Sequence, residues 1–174
     1  MSSPRSGVEA AAGFLTVVDS PTQGLIGGYL LLNALGRPLE FHCTAPIKPN
    51  RAQEILYGPT LQPFIYGEQI GQTLVRATQL AAPFVLTDLA LVLATADLVK
   101  EPVVLLLPNG AGEGPGRGLT MLETTGRRMA MPTSRQSDRT AVQAAVARLG
   151  ESFDWAEPFG RIRDAIGEAQ RAAA

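Results

Sequence analysis

Residues 13–54 of the chain, GFLTVVDSPTQGLIGGYLLLNALGRPLEFHCTAPIKPNRAQE, constrain the fold more than any other stretch. An apolar run closes on an acid at Val17-Val18-Asp19. A second apolar run is led by Gly27-Gly28 and continues through Tyr29 to Leu32. A tight Gly36-Arg37-Pro38 turn follows, then Leu39, Phe41 and Cys43 alternate with Glu40, His42 and Thr44. Alternation of period two is the mark of a half-buried strand, and a continuous apolar run is the mark of a strand covered on both faces. The stretch therefore predicts three short strands in a meander. Pro46 and Pro49 then end the third strand, and Asn50 opens a helix with Gln53 spaced to complete a capping box.

The remaining elements follow from similar signals. Gly27-Gly28 inside the second strand calls for a bulge or a close backbone approach. Gly58-Pro59 and Pro63 interrupt the first helix, because proline lacks the N–H that a helix needs. A second helical piece is expected over 64–80. Phe84 to Thr87 reads as a fourth strand ending at Asp88, Leu89 to Lys100 as a helix, and Val103 to Leu107 as a buried fifth strand. Strand, helix and strand in that order favour a parallel pair joined by a right-handed crossover. Leu119 to Leu122 and Met129 to Met131 flank Gly126-Arg127 as a hairpin. Helices are expected from Ser137-Asp138 to Gly150 and over 158–172. The expected architecture is one α/β domain over 13–174, with a mixed sheet, behind a flexible tail over 1–12.

Two segments look alike. LLNALGRPLEF and MLETTGRRMAM are each strand, Gly-Arg turn and strand. Seventeen residues separate Asp19 from Gly36, and seventeen separate Asn109 from Gly126. The pattern suggests an internal duplication, and it equally fits two unrelated hairpins.

Composition bears on function mainly by exclusion. With 15 basic and 16 acidic side chains the net charge is -1, which gives no general attraction to nucleic acid or to an anionic membrane. One cysteine, Cys43, excludes an intramolecular disulfide and a cysteine-based zinc cluster; it reads as a small core residue in a reducing, cytoplasmic setting. No apolar run is long enough to span a bilayer, so no membrane partner is expected.

Four acids stand where elements begin or end: Asp19 closes the first strand, Glu54 lies in the first helical turn, Asp88 closes the fourth strand and Asp138 opens a late helix. If the first and fourth strands are neighbours, their ends bring Asp19 and Asp88 together. Clustered carboxylates repel one another unless a cation is shared, and an all-oxygen donor set suits Mg²⁺ or Mn²⁺. Each acid also has a structural reading, as turn former, helix cap or solvated helix residue.

With VVDS in strand one, GGY in strand two, GR at the turn, NRAQE at the helix start, VLTDLA at strand four and SDRTA at the late helix, the chain resembles the ribonuclease H-like superfamily. The resemblance covers about residues 14–149. It implies a three-strand antiparallel meander followed by alternating helices and strands. It also implies catalytic and metal-binding roles for Asp19, Glu54, Asp88 and Asp138, with a Mg²⁺- or Mn²⁺-dependent nuclease activity on nucleic acid.

The alternative is a non-catalytic module that binds a protein partner through YGPTLQPFIYG, where Tyr57, Phe64 and Tyr66 are set among prolines. Arg117, Arg127, Arg128, Arg135 and Arg139 form the most basic region and offer contacts to a nucleic-acid backbone or a solvated surface. The glycine-rich stretch Asn109 to Gly118 offers backbone amides to a phosphate, or serves as a hairpin loop. His42, the single histidine, reads as a strand surface residue.

Overall fold

A computed structural model describes residues 9–110, 112, 114–124 and 126–174. Among these residues seven strands form one mixed sheet in the order β3-β2-β1-β4-β5-β7-β6. The strands are β1 (Ala12–Ser20), β2 (Gly24–Leu32), β3 (Pro38–Cys43), β4 (Val85–Thr87), β5 (Val103–Leu106), β6 (Leu119–Leu122) and β7 (Met129–Pro132). The meander expected from the opening stretch is present: β1 pairs antiparallel with β2, and β2 with β3. The fourth strand lies parallel to the first, with Leu15 opposite Thr87, and β5 continues parallel to β4. Residues 1–8, most of the expected tail, lie outside the described residues; Ala10 and Ala12 are buried, and β1 starts two residues before Phe14.

The apolar runs are continuous because both faces of the sheet are covered. Leu15 and Val17 of β1, Tyr29 and Leu31 of β2, Val85 of β4 and Val103 of β5 pack against a helical run over 61–77, called α2. Ala12, Phe14, Ile26, Leu30, Leu32, Leu86 and Val104 face the other way, onto α3 (Arg139–Arg148) and α4 (Glu157–Ala173). In α4, Phe159, Ile162 and Ile166 form the buried stripe, and Asp154 Oδ1 receives the N–H groups of Ala156 and Glu157 at its start. The single tryptophan, Trp155, packs with Phe153, Phe14 and Phe84 in this second layer.

Gly27-Gly28 is a close approach and not a bulge. A Cβ at Gly27 would lie 2.2 Å from Ile70 Cγ2, and one at Gly28 would lie 2.4 Å from Ile162 Cγ2. Both helical layers thus come down onto one dipeptide of β2.

Several local expectations are corrected. The segment 64–80 is not a plain helix: α2 is α-helical over Leu61–Pro63, π-helical over Phe64–Gln72 and α-helical over Thr73–Ala77. Gly67 and Gly71 let it press onto Ala94 and Thr95, and a Cβ at Gly71 would lie 1.8 Å from Thr95 Oγ1. The segment 89–100 forms only a 3₁₀ stretch, Ala90–Thr95, followed by turns. The Arg135 guanidinium takes the carbonyls of Ala96, Val99 and Lys100, so those acceptors do not serve a continuing helix. The clean alternation of β3 is broken by a register shift at Leu31/Leu32: Leu39 packs with the α2 layer, whereas Phe41 lies beside Ile162 and Ile166 near Gly28. No residue of this strand is buried, and Cys43 is exposed where a core position was expected, because β3 ends the sheet.

The expected hairpin β6–β7 forms, and it extends the sheet through antiparallel pairing of β7 with β5. Its likeness to β2–β3 ends there. Gly36 and Gly126 both turn with positive φ, but β1 pairs with the strand that follows it, while β5 skips β6 to pair with β7. No helix among the described residues is long and apolar enough to cross a membrane.

Candidate functional site

The parallel pairing of β1 and β4 places Asp88 across from Thr16. Thr16 is fully buried, and its Oγ1 donates to Asp88 Oδ1 at 2.6 Å; Arg163 of α4 holds the other carboxylate oxygen. A lone hydroxyl in the apolar run FLTVV needs a partner once buried. That was the one available signal for this contact, and nothing in the sequence pointed to Arg163. Asp19 is three residues farther along β1, about 10 Å at the rise of a strand. Side chains alternate along a strand, so Asp19 leaves the sheet on the α2 side with Leu15 and Val17, opposite to Thr16. Its charge is felt there: burial, and then the Asp19 carboxylate, raise the Tyr66 hydroxyl above its ordinary pKa.

The other two acids have local partners. Glu54 pairs with Arg51 at 3.2 Å on α1 (Arg51–Tyr57), and Asp138 with Arg135 at 2.8 Å. Among the described residues no three His, Cys, Asp or Glu side chains come together in a way that could hold a metal ion. Asp19, Glu54, Asp88 and Asp138 are therefore not gathered into one such group, and the charge beside Asp88 is the guanidinium of Arg163.

The arginine region is largely turned onto the protein itself. Arg135 joins Asp138 to three backbone carbonyls, Arg128 donates to Gly110 O at 2.9 Å, and Arg139 lies 4.0 Å from Glu123. Arg127 has its Nε buried, and of the five only Arg117 is an exposed residue. In the glycine-rich stretch Asn109 to Gly118, Ala111 and Glu113 lie outside the described residues; the described ones are mostly exposed, and Gly110, Gly116 and Gly118 have positive φ.

The segment around YGPTLQPFIYG is different. α1 has a complete capping box: Asn50 Oδ1 accepts from Gln53 N at 2.9 Å, and Gln53 Oε1 accepts from Asn50 N at 3.0 Å. The helix is thus well ended, yet it buries none of its residues. Ile55 is 66% exposed and Leu56 82% exposed. Gly58, with φ +51, stops the helix, and the chain folds back so that Tyr57 stacks on Phe64 with centroids 4.6 Å apart. Tyr57, Phe64 and Tyr66 are half-buried, none of them fully in the core.

On β3, Glu40 is held by three partners. His42 Nε2 lies 2.8 Å from it, and the N–H groups of Gln79 and Leu80 donate to its carboxylate at 2.8–3.1 Å. Burial pushes this carboxyl up, but the hydrogen bonds from His42, Leu80 and Gln79 outweigh it and hold the group below the usual carboxylate range.

Comparison with family models, with curated proteins and with solved structures finds no match for this chain.

Proposed function

We propose that this chain is a non-catalytic α/β interaction module that docks α1 into an aliphatic groove of a partner protein. The observation that carries the reading is a capped helix with nothing buried and two adjacent aliphatic side chains, Ile55 and Leu56, in water. Exposed aliphatic side chains that the domain itself does not cover support an interaction site, and a helix seated in a groove is a common way of covering them. The flanking charges, Arg51 and Glu54, neutralise each other, so the patch has no basic rim to favour an anionic lipid surface.

The strand order β3-β2-β1-β4-β5 supports a ribonuclease H-like relationship for the sheet. Within it, the neighbour of Asp88 is Thr16 and the counter-charge is Arg163, which supports a binding role over phosphodiester cleavage. The test pairs two measurements. Ile55→Ser/Leu56→Ser should abolish binding of a partner that wild type and Leu91→Ser, a control at another exposed aliphatic, both retain. Wild type should cleave neither single- nor double-stranded nucleic acid with Mg²⁺ or Mn²⁺. Metal-dependent cleavage that Asp88→Asn removes would overturn the reading in favour of a nuclease.

A further inference from the structure

β3 is one end of the sheet, and among the described residues no strand pairs with its outer edge. Which backbone groups point outward follows from one hydrogen bond. Thr44 N donates to Gly27 O at 3.0 Å, and the register pairs Gly28 with Cys43, Tyr29 with His42 and Leu30 with Phe41. Bonded and non-bonded pairs alternate in an antiparallel ladder, so Glu40 and His42 bond to β2. The N–H and C=O of Phe41 and Cys43 then face away from the sheet. Beside them lies an open groove of about 480 Å³, lined by Leu39, Glu40, Phe41, His42, Gln79 and Leu80. Phe41 is 38% exposed, and Cys43 is exposed.

We propose that this edge pairs with the same edge of a second copy, giving a two-fold dimer centred on Phe41. The outward N–H and C=O of Phe41 meet those of the second copy's Phe41, and the ladder continues antiparallel across the axis. Glu40 then stands opposite the second copy's His42, and His42 opposite its Glu40. A strand with an acid and a histidine one position either side of its centre, on one face, is complementary to itself, and a two-fold axis makes each contact twice. Cross-strand pairs of opposite charge and of aromatic rings both favour such a ladder. The hydrogen-bond phase also allows registers centred on His42, which sets His42 against His42 and Glu40 against Thr44, and on Cys43, which sets His42 against Thr44; both lose that complementarity.

The experiment uses the full chain. Wild type should sediment as a dimer at high micromolar concentration, and its melting temperature should rise with concentration, as mass action requires. Phe41→Pro removes the central outward N–H, a change that an edge strand accommodates. This variant should sediment as a monomer with the circular dichroism of wild type. Paired Cα atoms in such a ladder are about 5.5 Å apart, within disulfide reach. Cys43→Ser/Phe41→Cys should therefore cross-link under mild oxidation much faster than Cys43→Ser/Leu35→Cys, a control with its cysteine at the exposed turn. A wild-type chain that stays monomeric, equal cross-linking of the two variants, or a Cys43–Cys43 disulfide in wild type would each overturn the proposal, the last by showing another register.

Discussion

Thr16 of β1 and Asp88, the residue just after β4, sit side by side, and the hydroxyl of the first donates to the carboxylate of the second at 2.6 Å. Thr16→Val keeps the shape and removes the donor. A hydrogen bond to a charged group contributes about 1.5–3 kcal/mol, so urea unfolding should show a loss near the low end of that range, since Asp88 keeps Arg163. Asp88→Asn retains an acceptor for Thr16 and gives up the ion pair. Neither wild type nor this variant should gain thermal stability from Mn²⁺, because the carboxylates are not gathered.

Arg135 should matter more for stability than an arginine on a nucleic-acid surface would. It binds the Val99 and Lys100 carbonyls at 3.1 and 2.9 Å and also pairs with Asp138. Arg135→Ala should cost about 2 kcal/mol, since several charge-assisted bonds to one group are lost together. Arg135→Lys should recover little of it, because an ammonium cannot span carbonyls that the planar guanidinium fork reaches. Amide exchange should accelerate first over 96–100.

Gly71→Ala tests the contact between the π-helical turn and the 3₁₀ stretch. The added methyl would sit 1.8 Å from Thr95 Oγ1 and 2.8 Å from Thr95 Cβ, and Thr95 is fully buried. Overpacking of a closed core costs about 1–3 kcal/mol, and the chemical denaturation midpoint should fall accordingly. Gly114→Ala, where nothing lies within 4 Å, is the matching control and should be close to neutral.

Glu40 gives a pH signature. Its folded-state pKa lies below the ordinary value, so its contribution to stability is present above the unfolded-state pKa and is lost as pH falls through the folded one. Glu40→Gln should therefore be less stable than wild type at neutral pH, and the gap should narrow as pH drops below about 4.3, the usual glutamate value. A gap that widens in acid would mean that the carboxylate is not held by His42, Gln79 and Leu80 in solution.

Ile55→Ser/Leu56→Ser should unfold within about 0.5 kcal/mol of wild type, as surface changes do, because neither side chain is buried. Unchanged stability together with lost partner binding separates a docking surface from a structural one.

The elements that were legible in the sequence are those whose signals are local. The runs before Asp19 and through Tyr29 to Leu32 give strands whatever they touch, and Asn50 with Gln53 caps α1 from within five residues. The features that were not legible depend on distant partners. The pattern of Leu89 to Lys100 suits a helix, but Thr95 is drawn against Gly71 and the following carbonyls go to Arg135. Cys43 reads as core until β3 is known to be the end strand. Each of the four acids sits at or beside the end or first turn of an element. Convergence is a matter of register, and one residue's parity sends Asp19 to the face opposite Thr16.

The Gly27-Gly28 dipeptide makes β2 a thin wall. In a strand dipeptide that carries side chains, one on each face separates the layers; here Ile70 and Ile162 approach the two sides of bare backbone. A displacement of α2 at Ile70 has no compressible side chain in which to dissipate before it meets α4. The strand acts there as a shared bearing surface for both layers, and a load applied from one side is felt on the other.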